Sequence, residues 1–345
     1  MTVGVVLVHY CFWPDVRQTL DALAAQTRPP DRVLVLDDCS PDGSVERIAE
    51  AYPDLEVEVA PHNRGCVANF NAGLRRMLDR GMDAVLLLTH ETALERSALE
   101  ELAGRLERAP HVGAVGPLLG FLSRPDVVFS AGGMLQPGSW QNPHAGMYEP
   151  IERWRGAPPR EVPWLDTACV LVRAEAIEQT GLLSERYFHY YDDVELGVRL
   201  NQAGWAVECV YAAVGRQQPG KLSEYYRVRN RLGFIAATGP RRVLARAIAT
   251  HVHRIAADVA RGRDGRPLAV AQARALRDFA LGRWGEADPH VAAASRRDYA
   301  TGGALDGAPE PSWAPDRTRG DDLIPLATAV RSAAGASGLH VPSRA

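Results

Sequence analysis

Val33-Leu34-Val35-Leu36-Asp37-Asp38-Cys39-Ser40-Pro41-Asp42-Gly43 is an apolar run of strand length that stops abruptly in carboxylates and turn residues. Nothing polar interrupts Val33–Leu36, so the spacing predicts a strand buried on both faces. The Asp, Ser, Pro and Gly that follow are turn chemistry. The same pattern stands on either side. Val3–Val8, broken only by Gly4, ends in His9-Tyr10-Cys11, and Ala84–Leu88 ends in Thr89-His90-Glu91-Thr92. Amphipathic stretches separate these runs. Val16, Leu20, Leu23 and Ala24 share one helical face, and that helix ends before Pro29-Pro30. A helix through Ile48, a short strand at Leu55–Val59, a helix within Asn63–Leu78 and another over Leu94–Leu106 continue the alternation. This order predicts an α/β fold, a mostly parallel sheet flanked by helices on both faces. In such sheets ligands sit at the carboxyl ends of the strands. The polar clusters at 9–11, 37–43, 62–65 and 89–92 all fall there.

Composition excludes several classes. The chain has 345 residues, is 46% apolar and 23% charged, and carries a net charge of −3. That is a soluble globular composition, not a disordered one. No overall basic excess suggests nucleic acid as a partner. No apolar run approaches the roughly 18–20 residues that span a bilayer. Met1–Tyr10 lacks a basic flank and a cleavage site, so no signal peptide is expected. Five cysteines without Cys-x-x-Cys spacing form neither a disulfide framework nor a standard zinc site, which fits a cytoplasmic location.

The middle, roughly 110–165, is rich in Gly, Pro and Trp and reads as short hairpins with a mobile flap. Cys169–Val172 reads as a strand, Ala174–Thr180 as a short helix and Asp192–Ala203 as a longer one. After Gly239-Pro240 the character changes. Leu244, Ile248, Val252, Ile255 and Val259 are spaced 4, 4, 3 and 4, one helical face. Residues 240–297 hold twelve Arg against five acids, and a second helix is expected near 268–282. The expected organisation is therefore 1–239 as the α/β domain that carries the strand-end clusters, 240–297 as a basic amphipathic helical appendage, and 298–345 as a mostly irregular tail. The appendage is read as a helix pair packed on the α/β domain. A peripheral membrane contact or a homo-oligomer contact through it is the sharper alternative.

Four motifs, in order and on these predicted elements, resemble a family 2 glycosyltransferase of the GT-A (Rossmann-like) fold. Val5-Val6-Leu7-Val8-His9-Tyr10 with Val35–Gly43 resembles the opening of that family, and Asn63-Arg64-Gly65…Asn71-Ala72-Gly73 the next motif. Gly181-Leu182-Leu183…Tyr187-Phe188…Asp192-Asp193-Val194-Glu195-Leu196…Arg199…Ala203-Gly204 resembles the catalytic segment, and Tyr225-Tyr226…Arg229-Asn230 a feature of its rhamnosyltransferase-like branch. The likeness covers about residues 1–240 and implies that 1–239 is a nucleotide-sugar-binding and catalytic domain. It implies that Asp193 matches the catalytic base. It also implies that Glu91 matches the acid that holds Mg²⁺ or Mn²⁺ on the donor diphosphate. Trp164 and Asp166 fall in the segment lining the donor sugar, with Trp164 a candidate stacking wall or, equally, a core or lid tryptophan, and Asp192 shapes the acceptor pocket. Two departures stand out. Thr89 replaces the first metal-site acid, and Val214-Gly215-Arg216-Gln217-Gln218 has no His where a further metal ligand is usual, leaving Arg216 as a candidate for meeting phosphate charge.

The residues themselves support such a site. Moving a sugar from a nucleoside diphosphate requires that base and ribose be held, that diphosphate charge be met and that an acceptor hydroxyl lose a proton. Asp37 and Asp38 end a buried strand, where a carboxylate can accept from a base N–H or ribose hydroxyls. Asn63 and Gly65 precede a helix, and its N-terminus favours negative charge. Tyr10 can lie beside the base, and Asn71 belongs to the same nucleotide-binding motif. Ser40 and Asp42 are read as turn and capping residues. Asp192 and Asp193 open a helix, where one can be the N-cap and the other a base. The expected activity is inverting transfer from a dTDP-, UDP- or GDP-sugar to a hydroxyl of a glycan, lipid-linked carrier or natural product. The alternative is a catalytically weak nucleotide-sugar-binding or scaffolding protein of the same fold.

Overall fold

The computed structural model describes residues 1–298, with side chains described through residue 294. The expected tail, 298–345, lies outside the described residues apart from Asp298. The first half runs β1 (Val3–His9), α1 (Trp13–Ala24), β2 (Arg32–Asp37), α2 (Ser44–Ala51), β3 (Glu56–Val59), α3 (Cys66–Asp79), β4 (Ala84–Thr89), β5 (Thr92–Leu94) and α4 (Ala98–Arg108). Then come β6 (Val112–Phe121), β7 (Val128–Ser130), β8 (Arg160–Glu161), β9 (Cys169–Arg173), α5 (Ala174–Thr180), α6 (Asp192–Gln202) and β10 (Ala206–Gln217). The chain continues through β11 (Lys221–Ser223), α7 (Glu224–Thr238), α8 (Arg241–Ala260), α9 (Arg266–Ala280), α10 (Pro289–Ala292) and β12 (Ser295–Asp298). β12 pairs with β11, a ribbon that the sequence reading does not anticipate.

The main sheet has the order β3-β2-β1-β4-β9-β6-β10-β5. β3, β2, β1 and β4 are mutually parallel, and β6 and β10 run the same way, because β9 lies antiparallel to both β4 and β6. The uninterrupted apolar runs follow from burial on both faces. Val6, Val8, Leu34, Leu36 and Leu87 point into one core with Phe70, Leu74 and Met77 of α3. Val5, Leu7, Val35, Leu86 and Leu88 point into the other with α1 and α4. Each such side chain contributes roughly 1.5–3 kcal/mol on burial.

Two expectations need correction. The stretch expected as one helix over 94–106 is a short strand followed by α4, because Thr92–Leu94 pairs antiparallel with the end of β10. On α8 the buried positions are Val243, Ala247, His251 and Asp258, not the predicted apolar stripe, and Val252 and Val259 are 55% and 61% exposed. The helix is turned by a buried polar set. Gln272 Nε2 donates to Asp258 Oδ2 at 2.6 Å, and Gln272 Oε1 lies 3.4 Å from His251 Nδ1. These groups must face each other once buried. α7, ahead of the expected 239/240 boundary, packs against α8 and α9. Val243, Ala247, Ala271 and Ala275 share one buried cluster with α7 and the sheet.

Candidate active site

Register brings the strand ends together. His9 pairs with Asp37 and Val8 with Thr89, so Tyr10, Asp38, His90 and Glu91 leave the sheet side by side. Antiparallel β9 enters at the same edge, where Thr89 N donates to Ala168 O at 3.0 Å. A cleft of about 1610 Å³ opens there, lined by Tyr10, Asp38, Asn63, Gly65, Glu91, Trp164, Asp166, Asp192 and Asp193. Sites for one small ligand are usually ~300–1,000 Å³, so this cleft has room for a donor and an acceptor.

Asp38 shapes the rim. Its Oδ1 accepts from Arg64 N at 2.7 Å and its Oδ2 from Gly65 N at 2.9 Å, while Asn63 Oδ1 also accepts from Gly65 N. Gly65 has φ +81°, and a Cβ there would lie 2.7 Å from Phe188, so glycine is what lets the 63–65 loop approach the segment ahead of α6. Tyr10 is 41% exposed, with its ring open to the cleft. Asp37 and Asn71 do not reach it, contrary to expectation. Asp37 is fully buried and its oxygens accept from Ser40 N and Ser40 Oγ, so it anchors the turn. Side chains alternate along a strand, so with Asp37 turned inward the next residue, Asp38, faces the cleft. Asn71 is buried, donates to Leu183 O and accepts from Leu183 N, both near 3 Å. On α3 it is Cys66 and Phe70, one turn apart, that line the cleft. Ser40 and Asp42 serve the turn as expected: Ser40 Oγ accepts from Cys11 N and Asp42 accepts from Phe12 N and Ser44.

α6 begins at the cleft. Tyr190 and Tyr191 just ahead of it hold φ +67° and +71°, and Cys11, Phe12 and Cys39 on the facing strand ends are also left-handed. Such conformations cost free energy in residues with a side chain and concentrate at functional sites. Asn230 of α7 maintains the turn by donating to His189 O at 2.7 Å and to Tyr190 O at 3.3 Å. Tyr226 stacks on Phe188. Arg229 is buried over the Tyr225, Tyr226 and Trp284 rings and donates to Gly285 O. The Tyr225-Tyr226…Arg229-Asn230 motif thus positions the segment that carries the acids. Arg199 does likewise, donating to the carbonyls of Thr180, Gly181 and Leu182.

Asp192 is buried and accepts from Thr167 Oγ1 at 3.0 Å. Asp193 is half-buried and faces the cleft, with Oδ1 accepting from Val194 N at 2.7 Å. Burial pushes the Asp192 carboxyl up to about 6. Burial and then the Asp192 and Asp166 carboxylates push Asp193 well above the usual carboxylate range. Asp166 contacts His144 at 3.5 Å. Trp164 is 1% exposed, its Nε1 donates to Met134 O and its ring packs edge-on to His144. It is a wall behind His144, so the structure fits the core reading of this tryptophan and not the stacking role. Arg216 is corrected too, because Glu95 binds it in an ion pair shared with Arg155.

Glu91 is half-buried in the cleft, with Gln217 Nε2 at 3.5 Å, and burial pushes its carboxyl up to about 7. Among the described residues no three His, Cys, Asp or Glu side chains gather as a metal site. A divalent ion carried by a diphosphate needs less, since Mg²⁺ commonly takes one or two carboxylates plus phosphate oxygens and water. The half-buried Glu91 carboxylate, facing the cleft, fits that donor set.

The family described as glycosyltransferase like family 2 matches residues 3–234. The chain belongs to that family. This family 2 glycosyltransferase is 30% identical over 226 residues, 58% of its length and 71% of the relative's, to an N-acetylglucosaminyl-diphospho-decaprenol L-rhamnosyltransferase of Mycobacterium tuberculosis. Among solved structures it resembles GalNAc-T7 with UDP, GalNAc and Mn²⁺ (TM-score 0.56, 12% identity, 68% of this chain) and residues 1–349 of S. aureus TarS (TM-score 0.51, 14% identity, 81% of each chain). The chain spans about half, 48%, of the GalNAc-T7 chain. These two likenesses bear on the fold, a GT-A-type α/β sheet with a helical C-terminal region.

Proposed function

We propose that this family 2 glycosyltransferase is an inverting enzyme that moves a sugar from a dTDP-, UDP- or GDP-sugar to an acceptor hydroxyl, with Asp193 as general base. The supporting observation is that Asp193, at the start of α6, opens into the same cleft as the strand-end rim of Tyr10, Asp38, Asn63 and Glu91. In this reading Tyr10 flanks the base, and the 63–65 loop, held by Asp38, receives ribose and phosphate at the N-terminus of α3. Asp193 accepts the acceptor's proton as its oxygen attacks the anomeric carbon opposite the leaving diphosphate. Glu91 would hold a divalent ion, which when bound spreads the charge of the departing diphosphate. The Mn²⁺ in the GalNAc-T7 structure supports that part of the reading. The Mycobacterium relative's name favours a lipid-linked acceptor over a free glycan or small natural product.

A thermal-shift screen of UDP, dTDP and GDP and their sugars tests the donor assignment. A ligand at about 100 times its Kd stabilises the native state by about 2.7 kcal/mol, a rise of several degrees in midpoint. One nucleotide should stand out; no shift from any of them at millimolar concentration would overturn the reading.

The helical unit supports peripheral contact with an anionic lipid surface. Val252, Val259, Val270 and Leu281 are exposed on helices dense in arginine, and among the described residues no helix is long and apolar enough to cross a membrane. The protein should sediment with phosphatidylglycerol vesicles at low salt and not with phosphatidylcholine vesicles. Failure to sediment with either removes the proposal.

A further inference from the structure

The cleft is electrically two-sided. Around the strand ends and α6 its lining carries Asp15, Asp38, Glu91, Asp166, Asp192 and Asp193. The wall beyond α6 carries Arg227 and Arg231 of α7 with Arg246 and Arg254 of α8. The spacing is regular: 227 and 231 are one turn apart, and 246, 250 and 254 lie one turn apart on the cleft-facing side of α8. The helix sits so that this basic row, and not the apolar stripe, borders the cleft. Arg227 is paired with Glu224, but among the described residues Arg231 and Arg246 have no carboxylate partner. Arg231 donates to Ser139 O, which ties the wall to the 136–144 segment, and burial lowers its pKa. Arg246 is exposed on its own side of the cleft.

From this placement we infer that Arg246, with Arg231 and Arg254, forms a subsite for the phosphate or diphosphate of the acceptor, separate from the place of the donor diphosphate. The inference rests on the glycosyltransferase reading. The donor's phosphates belong at the strand ends near Asn63, Gly65 and Glu91. The arginines lie on the wall built by α7, which carries the Asp193 segment through Asn230 and Tyr226, and by α8 packed against it. A base that faces the acceptor therefore has the arginines on the acceptor's side. An acceptor with a phosphorylated tail otherwise meets six carboxylates, and the arginines make its binding favourable. Guanidinium groups suit this role through bidentate hydrogen bonding to phosphate oxygens.

Isothermal titration of the full chain with farnesyl diphosphate, farnesyl phosphate and farnesol tests it, with and without saturating UDP, dTDP or GDP. The diphosphate should bind tightest and farnesol weakest, and a bound nucleotide should not displace the prenyl diphosphate. Arg246→Ala should weaken the diphosphate about tenfold, Arg246→Ala with Arg254→Ala further, and Arg246→Lys should restore part, with nucleotide affinity unchanged throughout. Competition between nucleotide and prenyl diphosphate, equal binding of farnesol, or unchanged affinity in the variants would overturn the subsite. Absence of nucleotide binding would sink the donor assignment instead, and the prenyl titrations would still read the arginines.

Discussion

Asp193→Asn is expected to fold, to bind nucleoside diphosphate as the wild type does, and to lose transfer by roughly 10²–10⁴-fold, the usual contribution of a positioned base. Asn keeps the shape and can still accept from Val194 N, so a folding defect would not explain the loss. The amide also removes one charge from a group that includes Asp192 and Asp166. Nucleotide affinity should therefore hold or rise, which separates a lost base from a damaged donor site. Asp192→Asn is the necessary partner variant. Its carboxylate accepts from Thr167 and is buried, so its loss should act through position and cost less. Full activity in Asp193→Asn with loss in Asp192→Asn would shift the base by one residue; full activity in both would refute the assignment.

The same pair fixes the sign of the pH dependence. With their pKa raised, these carboxyls stay protonated into a range where an exposed Asp is ionised, near 4. Transfer by the wild type should therefore rise with pH through about 6, the Asp192 value, and beyond, and the pair should titrate as a unit. Stability runs the other way. A carboxyl whose folded pKa is raised contributes stability that is fully present below the unfolded pKa and lost as pH rises through the folded one. The apo protein should thus be less stable where it is most active.

Much of this arrangement was legible in the sequence because the strands are buried on both faces. A continuous apolar run states where a strand lies, its end states where the cleft opens, and Tyr10, Asp38, Asn63, Gly65, Glu91, Asp192 and Asp193 all sit at that opening. What failed was direction. Asp37 and Asp38 are chemically identical neighbours, and only the pleat and the Ser40 turn decide that the first points inward. Asn71 shares a motif with Asn63 but lies around α3 from Phe70 and meets the 183–185 loop, a partner more than a hundred residues away. Trp164 looked like a sugar platform because its neighbours line the pocket; the Met134 carbonyl and His144 ring claim it instead. The arginine wall was visible as charge density but not as a wall. Its orientation depends on the buried Asp258, His251 and Gln272 set, which outweighs the apolar periodicity of α8. The left-handed tyrosines ahead of α6 left no pattern at all, since nothing in Tyr-Tyr signals positive φ.

Glu91→Gln carries the second large effect. If Glu91 holds a divalent ion on the diphosphate, the amide weakens that ligand, and the ion's several kcal/mol of charge stabilisation falls with it. Transfer in saturating Mn²⁺ should drop on the order of 10²-fold, more Mn²⁺ should be needed for half-maximal rate, and EDTA should reduce the wild type to a similar level. Glu91→Asp should recover part of the activity, since it restores the carboxylate at a reach one methylene shorter. Stability provides an independent reading in the metal-free protein. Because burial pushes the Glu91 carboxyl up to about 7, its ionised form is disfavoured in the fold. The variant's melting midpoint should therefore exceed the wild type's at pH 8 and match it only below about pH 4, under the unfolded pKa. Wild-type transfer indifferent to EDTA, together with full activity in Glu91→Gln, would show that the diphosphate charge is met without a metal. The departures at Thr89 and along Val214–Gln218 would then have marked a metal-independent member of the family.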